Sequence, residues 1–388
     1  MEARPRTPGT PVTTTVNMCV DDRTTCLTRE HGWAYHHQLS AGDHVLSYDP
    51  HSHTTQWQPL LDLAANEHYD GDMHHLSAPD LSALATPDHR WPLQRPATGV
   101  RTVQTSRALP HSNDWALMRN APHAGPRDAT YSDAFVRLLA WYTTTGTLLR
   151  TGTALSLRQP DTANPRHVDA IRRDLAGMGG LTVSDAPHHH PLVTSETRRR
   201  DGLATWLLTG SDVHRILTAA PGTPRVPTMC FLTHLTPQQA ALFVDTCVMA
   251  NGSAQHDSIQ QPHPGRMNAL LTAAVLAGHA LTLDPSGTRC RLRRNPSPDH
   301  TDTHIATHTL KRETVRHQGT IWCPHVPSGH WVARRAGTVY LTGSRCASAH
   351  QEYAKATPLA DTRTRTRTRT REDITAQTDA TTTDTPTN

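Results

Sequence analysis

Between residues 19 and 93 short runs of β-type residues, mixing apolar and polar positions, stand at 24–28, 44–48, 54–60, around 73–76 and at 91–93. Runs of this length bounded by turn residues read as strands. Turn formers such as Gly42-Asp43 separate the runs, so the stretch predicts an all-β module. The pattern then changes. Residues 135–142 (Phe-Val-Arg-Leu-Leu-Ala-Trp-Tyr) read as an apolar helix running to Gly146, where a glycine C-cap is expected. A strand at 153–159 follows, then an amphipathic helix carrying Val168, Ile171, Leu175 and Met178, a strand at 203–208 and a helix at 211–219. The plan recurs: Thr236 as N-cap, an apolar helix over 240–251 ending before Gly252, a strand at 258–261, a helix at 266–277 and a strand at 279–284. Two copies of an α-β-β-α unit are therefore predicted. A strand-like alternation stands at 305–310. The closing run 319–342 contains two turn candidates, Pro327-Ser-Gly329 and Ala336-Gly337, followed by the runs 331–333 and 338–342.

Composition adds the ends. Residues 1–18 are polar with three Pro and read as a flexible leader, and residues 104–130 read as a linker. Beyond 344 the chain is of low complexity, with alternating Thr and Arg from 362 to 371, and a disordered tail is expected. The net charge is only +4, but Lys311 and Lys355 are the only lysines. Arginine suits phosphate better than lysine does, so the Arg-rich run 291–294 is a candidate contact for a nucleic-acid backbone. A GC-rich codon bias explains the arginines equally well. The seven cysteines form no CxxC pair, which argues against a structural zinc site or a redox motif. Their odd number and the lack of a signal peptide predict a reducing, cytoplasmic setting. No apolar run has membrane-spanning length, so no membrane partner is expected. The 28 His are dispersed rather than gathered in a metal-binding tract.

Three blocks carry candidate chemistry. The first opens at Cys19, the second is Thr86-Pro-Asp-His89, and the third is the closing run from Gly319 to Gly343-Ser344. Together they resemble an intein, the self-splicing module with the Hint fold, of actinobacterial and phage type. The resemblance implies that Cys19 is the nucleophile of an N→S acyl shift, that His89 is its acid/base and that Thr86 is a supporting hydrogen-bonding group. By themselves, Thr86-Pro-Asp-His89 also fit a turn before a strand. The family closes on Gly-Asn or His-Asn followed by Ser, Thr or Cys. Here Gly343 is followed by Ser344 and Arg345, with Cys346 one place late. Serine forms no succinimide and arginine accepts no acyl group, so an acyl shift without ligation is expected. The flanking extein segments are the partners this implies, and the chemistry needs no cofactor.

The duplicated helices, ending before Gly146 and Gly252, resemble the two motifs of a LAGLIDADG (DOD-type) homing endonuclease inserted in the Hint module. In that family the last acidic residue of each motif holds Mg²⁺ at the scissile phosphates. Thr145 and Asn251 stand at those two places. The resemblance therefore implies a degenerate domain that binds double-stranded DNA without cutting it. Alternatives are a DNA-binding protein alone, or an active Mg²⁺-dependent endonuclease drawing its carboxylates from Asp133, Asp245 or Asp257. The expected organisation is a leader at 1–18, the first Hint half at 19–125, the endonuclease-like domain at 126–300, the second Hint half at 301–344 and the tail at 345–388.

Overall fold

The computed structural model of the chain describes residues 18–150, 152–160, 164–179, 193–198, 202–251, 258–293 and 303–343. The leader up to residue 17, the junction residues Ser344, Arg345 and Cys346, the rest of the expected tail, and Asp257 lie outside the described residues.

Short apolar runs between turns give β1 (Val20–Asp21), β2 (Thr25–Thr28), β3 (Gly32–Ala34), β4 (His44–Asp49) and β5 (Thr54–Pro59). They continue with β6 (Asp62–Ala78), β7 (Leu81–Ala85), β8 (Arg90–Gln94), β9 (Arg101–Thr105) and β10 (Ala116–Met118). The middle of the chain supplies α1 (Asp133–Thr145), β11 (Thr147–Leu148), β12 (Leu155–Pro160), α2 (Pro165–Gly179), β13 (Val193–Arg198), β14 (Leu203–Thr209) and α3 (Ser211–Ala219). Then come α4 (Met229–Thr233), α5 (Pro237–Asn251), β15 (Ser258–Gln260), α6 (Pro264–Leu276), β16 (Ala280–Leu283) and β17 (Arg289–Arg293). The chain returns through β18 (His304–Ala306), β19 (Lys311–His325), β20 (His330–Arg335) and β21 (Thr338–Gly343).

The returning strands do not form a sheet of their own. β19 lies antiparallel along β6 and closes a four-stranded barrel with β1 and β7. β18 joins β10, β8 and β9, while β20 pairs with β2 and β4. Segments as far apart as Thr25 and Arg334 thus share hydrogen-bond ladders, and a single apolar cluster runs from Val20 and Trp91 to Trp322, Trp331 and Tyr340. This β-rich body with several sheets is compatible with a Hint-like architecture.

Helices α1 and α5 pack on one another within a second core. Ser132 caps α1 by accepting from the Phe135 N–H at 3.2 Å, and Thr236 accepts from the Gln239 N–H at 3.1 Å, as expected at an N-terminus. Val168, Ile171, Leu175 and Met178 are all buried, as the 3.6-residue spacing of α2 requires. β11, β12, β14 and β13 form one sheet beside this core. β15, β17 and β16 form another, which continues into β21 and the first module through Thr282 opposite Thr338.

Three expectations are corrected. Residues 104–130 are not simply a linker: β10 is buried and sits between β8 and β18, and Arg119 and Asn120 after it are buried too. Its pairing is long-range, so a three-residue run among Pro, Asp and Asn gives no local signal. Gly146 is not a left-handed cap, because its φ of −72° is open to any residue. It is glycine because a Cβ would lie 2.7 Å from the Tyr142 carbonyl oxygen. The expected strand over 305–310 stops at Ala306 and turns through a 3-10 helix at Thr307–Thr309. Among the described residues no helix is long and apolar enough to cross a membrane.

Candidate functional site

Cys19 enters the barrel one residue before β1 and is completely buried. Its backbone is fixed on one side by Thr86: the Cys19 N–H donates to Thr86 Oγ1 at 3.0 Å, and the Thr86 N–H donates to the Cys19 carbonyl at 2.9 Å. Val20 opposite Ala85 continues this contact as a ladder. Asp21 anchors the other end of β1. It is buried and accepts from Arg335 Nε at 2.9 Å and from Thr24 Oγ1 at 2.6 Å. The peptide bond between Met18 and Cys19 therefore sits in a rigid frame.

His89 follows from a turn, its N–H donating to the Thr86 carbonyl at 3.0 Å. Its ring is completely buried, with Nε2 hydrogen-bonded to Thr342 Oγ1 and its centroid 4.9 Å from that of the Trp91 ring in an edge-on arrangement. Nδ1 makes no hydrogen bond of full geometry among the described residues, yet the Met18 backbone stands close enough to favour the protonated ring. Burial outweighs that pull and lowers the imidazole to about 4, with His330 lowering it further. At neutral pH the ring is uncharged. A proton on Nδ1 and an acceptor at Nε2 fit both neighbours, Met18 and the Thr342 hydroxyl.

The third block reaches the same place. β21 runs from Thr338 to Gly343 beside β20, and its end stands against β8. A Cβ on Gly343 would lie 2.8 Å from the Arg90 carbonyl oxygen, so only glycine lets the strand approach so closely. The three sequence blocks thus converge, although they span residues 19 to 343. Ser344, the next position, lies outside the described residues.

No family model matches this chain, and neither does any curated protein. Among solved structures it has a weak likeness to a GSH-linked, splice-inactive variant of the AceL NrdHF class 3 split intein. The TM-score is 0.34 at 7% identity, over 85% of this chain and 99% of that one.

Thr145 and Asn251 occupy the last positions of α1 and α5. Their polar groups are turned to local backbone: Thr145 Oγ1 donates to the Trp141 carbonyl at 3.1 Å and Asn251 Nδ2 to the Gln260 carbonyl at 2.7 Å. Asp133 lies at the opposite end of α1, and its Oδ1 accepts from Gln239 Nε2 at 3.1 Å. Among the described residues no three His, Cys, Asp or Glu side chains are grouped to hold a metal ion.

Sequence reasoning missed Cys323, Trp91 and Thr342. Cys323 is buried with Cys19, Met73, Leu84 and Ile321 in one apolar cluster. The signal was available in principle. Once β1 pairs with the strand containing Trp322, every second residue of that strand faces the same side as Cys19.

Proposed function

We propose that the chain carries out an autocatalytic N→S acyl shift at the Met18–Cys19 peptide bond, as part of a splicing module that has lost ligation. The observation carrying this reading is the convergence of Thr86, His89 and the end of β21 on Cys19. The Cys19 sulfur attacks the Met18 carbonyl carbon, a tetrahedral intermediate forms, and the C–N bond breaks as the Cys19 nitrogen takes a proton. Thr86, accepting from that N–H, fixes the position and orientation of the Cys19 nitrogen during the step. His89, buried and neutral, relays the proton. The product is a thioester between Met18 and Cys19. Cys323, in the same cluster, is a thiol that can receive the acyl group by exchange where Arg345 cannot.

The test is the intact mass of the reduced full chain with and without added thiol, beside Cys19→Ala. Thiol-dependent loss of residues 1–18, absent in the variant, is the expected result. An unchanged mass in both would sink the reading.

A second activity is favoured by one observation. On β17, Arg289 and Arg291 are exposed while Cys290 and Leu292 are buried, which presents a basic outer face on a sheet. With Thr145 and Asn251 at the helix ends, this reads as an endonuclease-like domain (residues 126–300) that binds double-stranded DNA without cutting. Plasmid nicking with Mg²⁺ that is abolished by Asn251→Ala would overturn it.

A further inference from the structure

The register of the barrel brings two buried thiols face to face. β1 is antiparallel to β19 with Val20 opposite Trp322 and Asp21 opposite Ile321. One step further along the same ladder puts Cys19 opposite Cys323. The orientation of this pair follows from the hydrogen bonds of Cys19. Its N–H and carbonyl both engage Thr86, on the β7 side. In a strand both polar groups of one residue point to the same side, so those of Cys19 point away from β19. Cys19 and Cys323 therefore form a non-hydrogen-bonded cross-strand pair. In such pairs the Cα atoms stand about 4.5 Å apart, closer than in the hydrogen-bonded kind. A disulfide spans Cα separations of about 4.4–6.8 Å. Both residues belong to one small cluster, with Met73, Leu84 and Ile321 around them.

We propose that Cys19 and Cys323 form a cross-strand disulfide under oxidising conditions, which locks the nucleophile. The oxidant is a small-molecule disulfide such as oxidised glutathione. A thiolate of one cysteine attacks it and releases one glutathione, and the second cysteine then attacks the mixed disulfide and releases another. Two protein S–H bonds are replaced by one S–S bond, and two electrons and two protons end on the two glutathione molecules. The other described cysteines are elsewhere: Cys26 lies in the Trp91 cluster, Cys247 and Cys290 in the helical core, and Cys230 is exposed. The disulfide itself does not depend on the acyl shift. Only its consequence, a silenced thioester step, rests on the proposed function. The closed loop ties the first strand of the chain to the returning one.

The full chain is equilibrated across ratios of oxidised to reduced glutathione, acid-quenched, alkylated with N-ethylmaleimide in denaturant and mapped by mass spectrometry. Two of the seven cysteines are expected to lose reactivity together, with a mass about 2 Da lower and one cross-linked peptide joining Cys19 to Cys323. Cys323→Ser should lose that peptide while Cys230 still takes up glutathione. Cys19 linked to any other cysteine, including Cys346, would overturn the proposal. So would Cys19 and Cys323 both remaining alkylatable at a ratio where Cys230 is glutathionylated. Thiol-induced release of residues 1–18 is scored separately on the reduced sample. Failure of release with the cross-link intact rejects only the acyl shift. If release works, oxidised protein should lack it until reductant is added.

Discussion

His89 shows how burial keeps an imidazole neutral without a charged partner. A histidine in water titrates near 6.5, whereas the folded ring sits at about 4 because burial disfavours its cation. His123 and His304 are lowered to about 4 by the same cause. Since the folded pKa is below the unfolded one, the unfolded chain binds more protons between pH 6.5 and 4. Stability is then fully present above pH 6.5 and declines as pH falls through that window, by about 3 kcal/mol per histidine at most. Urea midpoints measured from pH 7 to pH 4.5 should fall steadily, and His304→Gln should flatten the slope. A midpoint independent of pH would mean that these rings are hydrated in solution. For the acyl shift the same shift predicts a rate that does not decline on raising pH from 6 to 8, since His89 is already neutral. Thr86→Ala removes the acceptor of the Cys19 N–H and a longer bond of 3.4 Å from the same hydroxyl to the Cys19 carbonyl, and release of residues 1–18 should slow by about one to two orders of magnitude with the fold intact. Equal rates in the variant and the parent would remove Thr86 from the mechanism.

At the scale of elements, β21 is the piece on which the site depends most. It delivers Thr342 to His89 and is gripped at both ends by positions that only glycine satisfies. Gly343 abuts the Arg90 backbone, and Gly337 has φ 78° with Leu283 2.8 Å from a would-be Cβ. The two ends separate stability from chemistry. Gly337→Ala and Gly343→Ala should each cost about 1–3 kcal/mol by overpacking, read as a lower melting temperature. Only Gly343→Ala pushes the strand away from β8, so only it should also slow thiol-induced release, about tenfold or more. Equal release from both variants would show that the Thr342–His89 contact is incidental. Much of this element was legible beforehand, since the resemblance of the closing run to that of an intein implies a last strand at 338–342 and the Ala336-Gly337 turn marks its start. The turn has φ 45° at Ala336 and 78° at Gly337, as a tight hairpin needs. β10 was not legible, because three residues carry no period and its partners lie in other parts of the chain. The candidate triad of Cys19, Thr86 and His89 could be read from its blocks, while Cys323 became visible only with a strand register.

Across the whole molecule the question is how the helical core and the β body are joined. The expected boundary near residue 300 separates them in sequence, but the sheet does not divide there: β16 pairs with β21 at Thr282 and Thr338. Arg119 reinforces that joint. It is buried at 1% exposure and follows β10 in the supposed linker. Its guanidinium donates to the Leu281 carbonyl, to Thr282 Oγ1 at 3.0 Å and, through Nε, to the Val339 carbonyl at 3.3 Å. One side chain therefore holds β16 from the helical part and β21 from the candidate site at once. Asn120 adds two bonds of 2.9 Å to the Val275 and His279 carbonyls, at the end of α6. These acceptors sit in interior positions where an unmade hydrogen bond is costly. Arg119→Ala strands the Leu281 and Val339 carbonyls and removes a well-packed stem, a loss of about 2–4 kcal/mol. Because the loss falls on the joint, it should uncouple the two cores as well as weaken them. Thermal unfolding of the parent followed by tryptophan fluorescence and by far-ultraviolet circular dichroism should coincide in one transition. In Arg119→Ala the two probes should separate, because the fluorescence draws on Trp91, Trp322 and Trp331 of the β body as well as on Trp141 and Trp206 of the helical core, while the dichroism is weighted to the helices. A single lowered transition in both probes would mean that the shared sheet alone couples the two parts. In that case the ladder that runs from β17 through β16 to β21 is what joins the two cores.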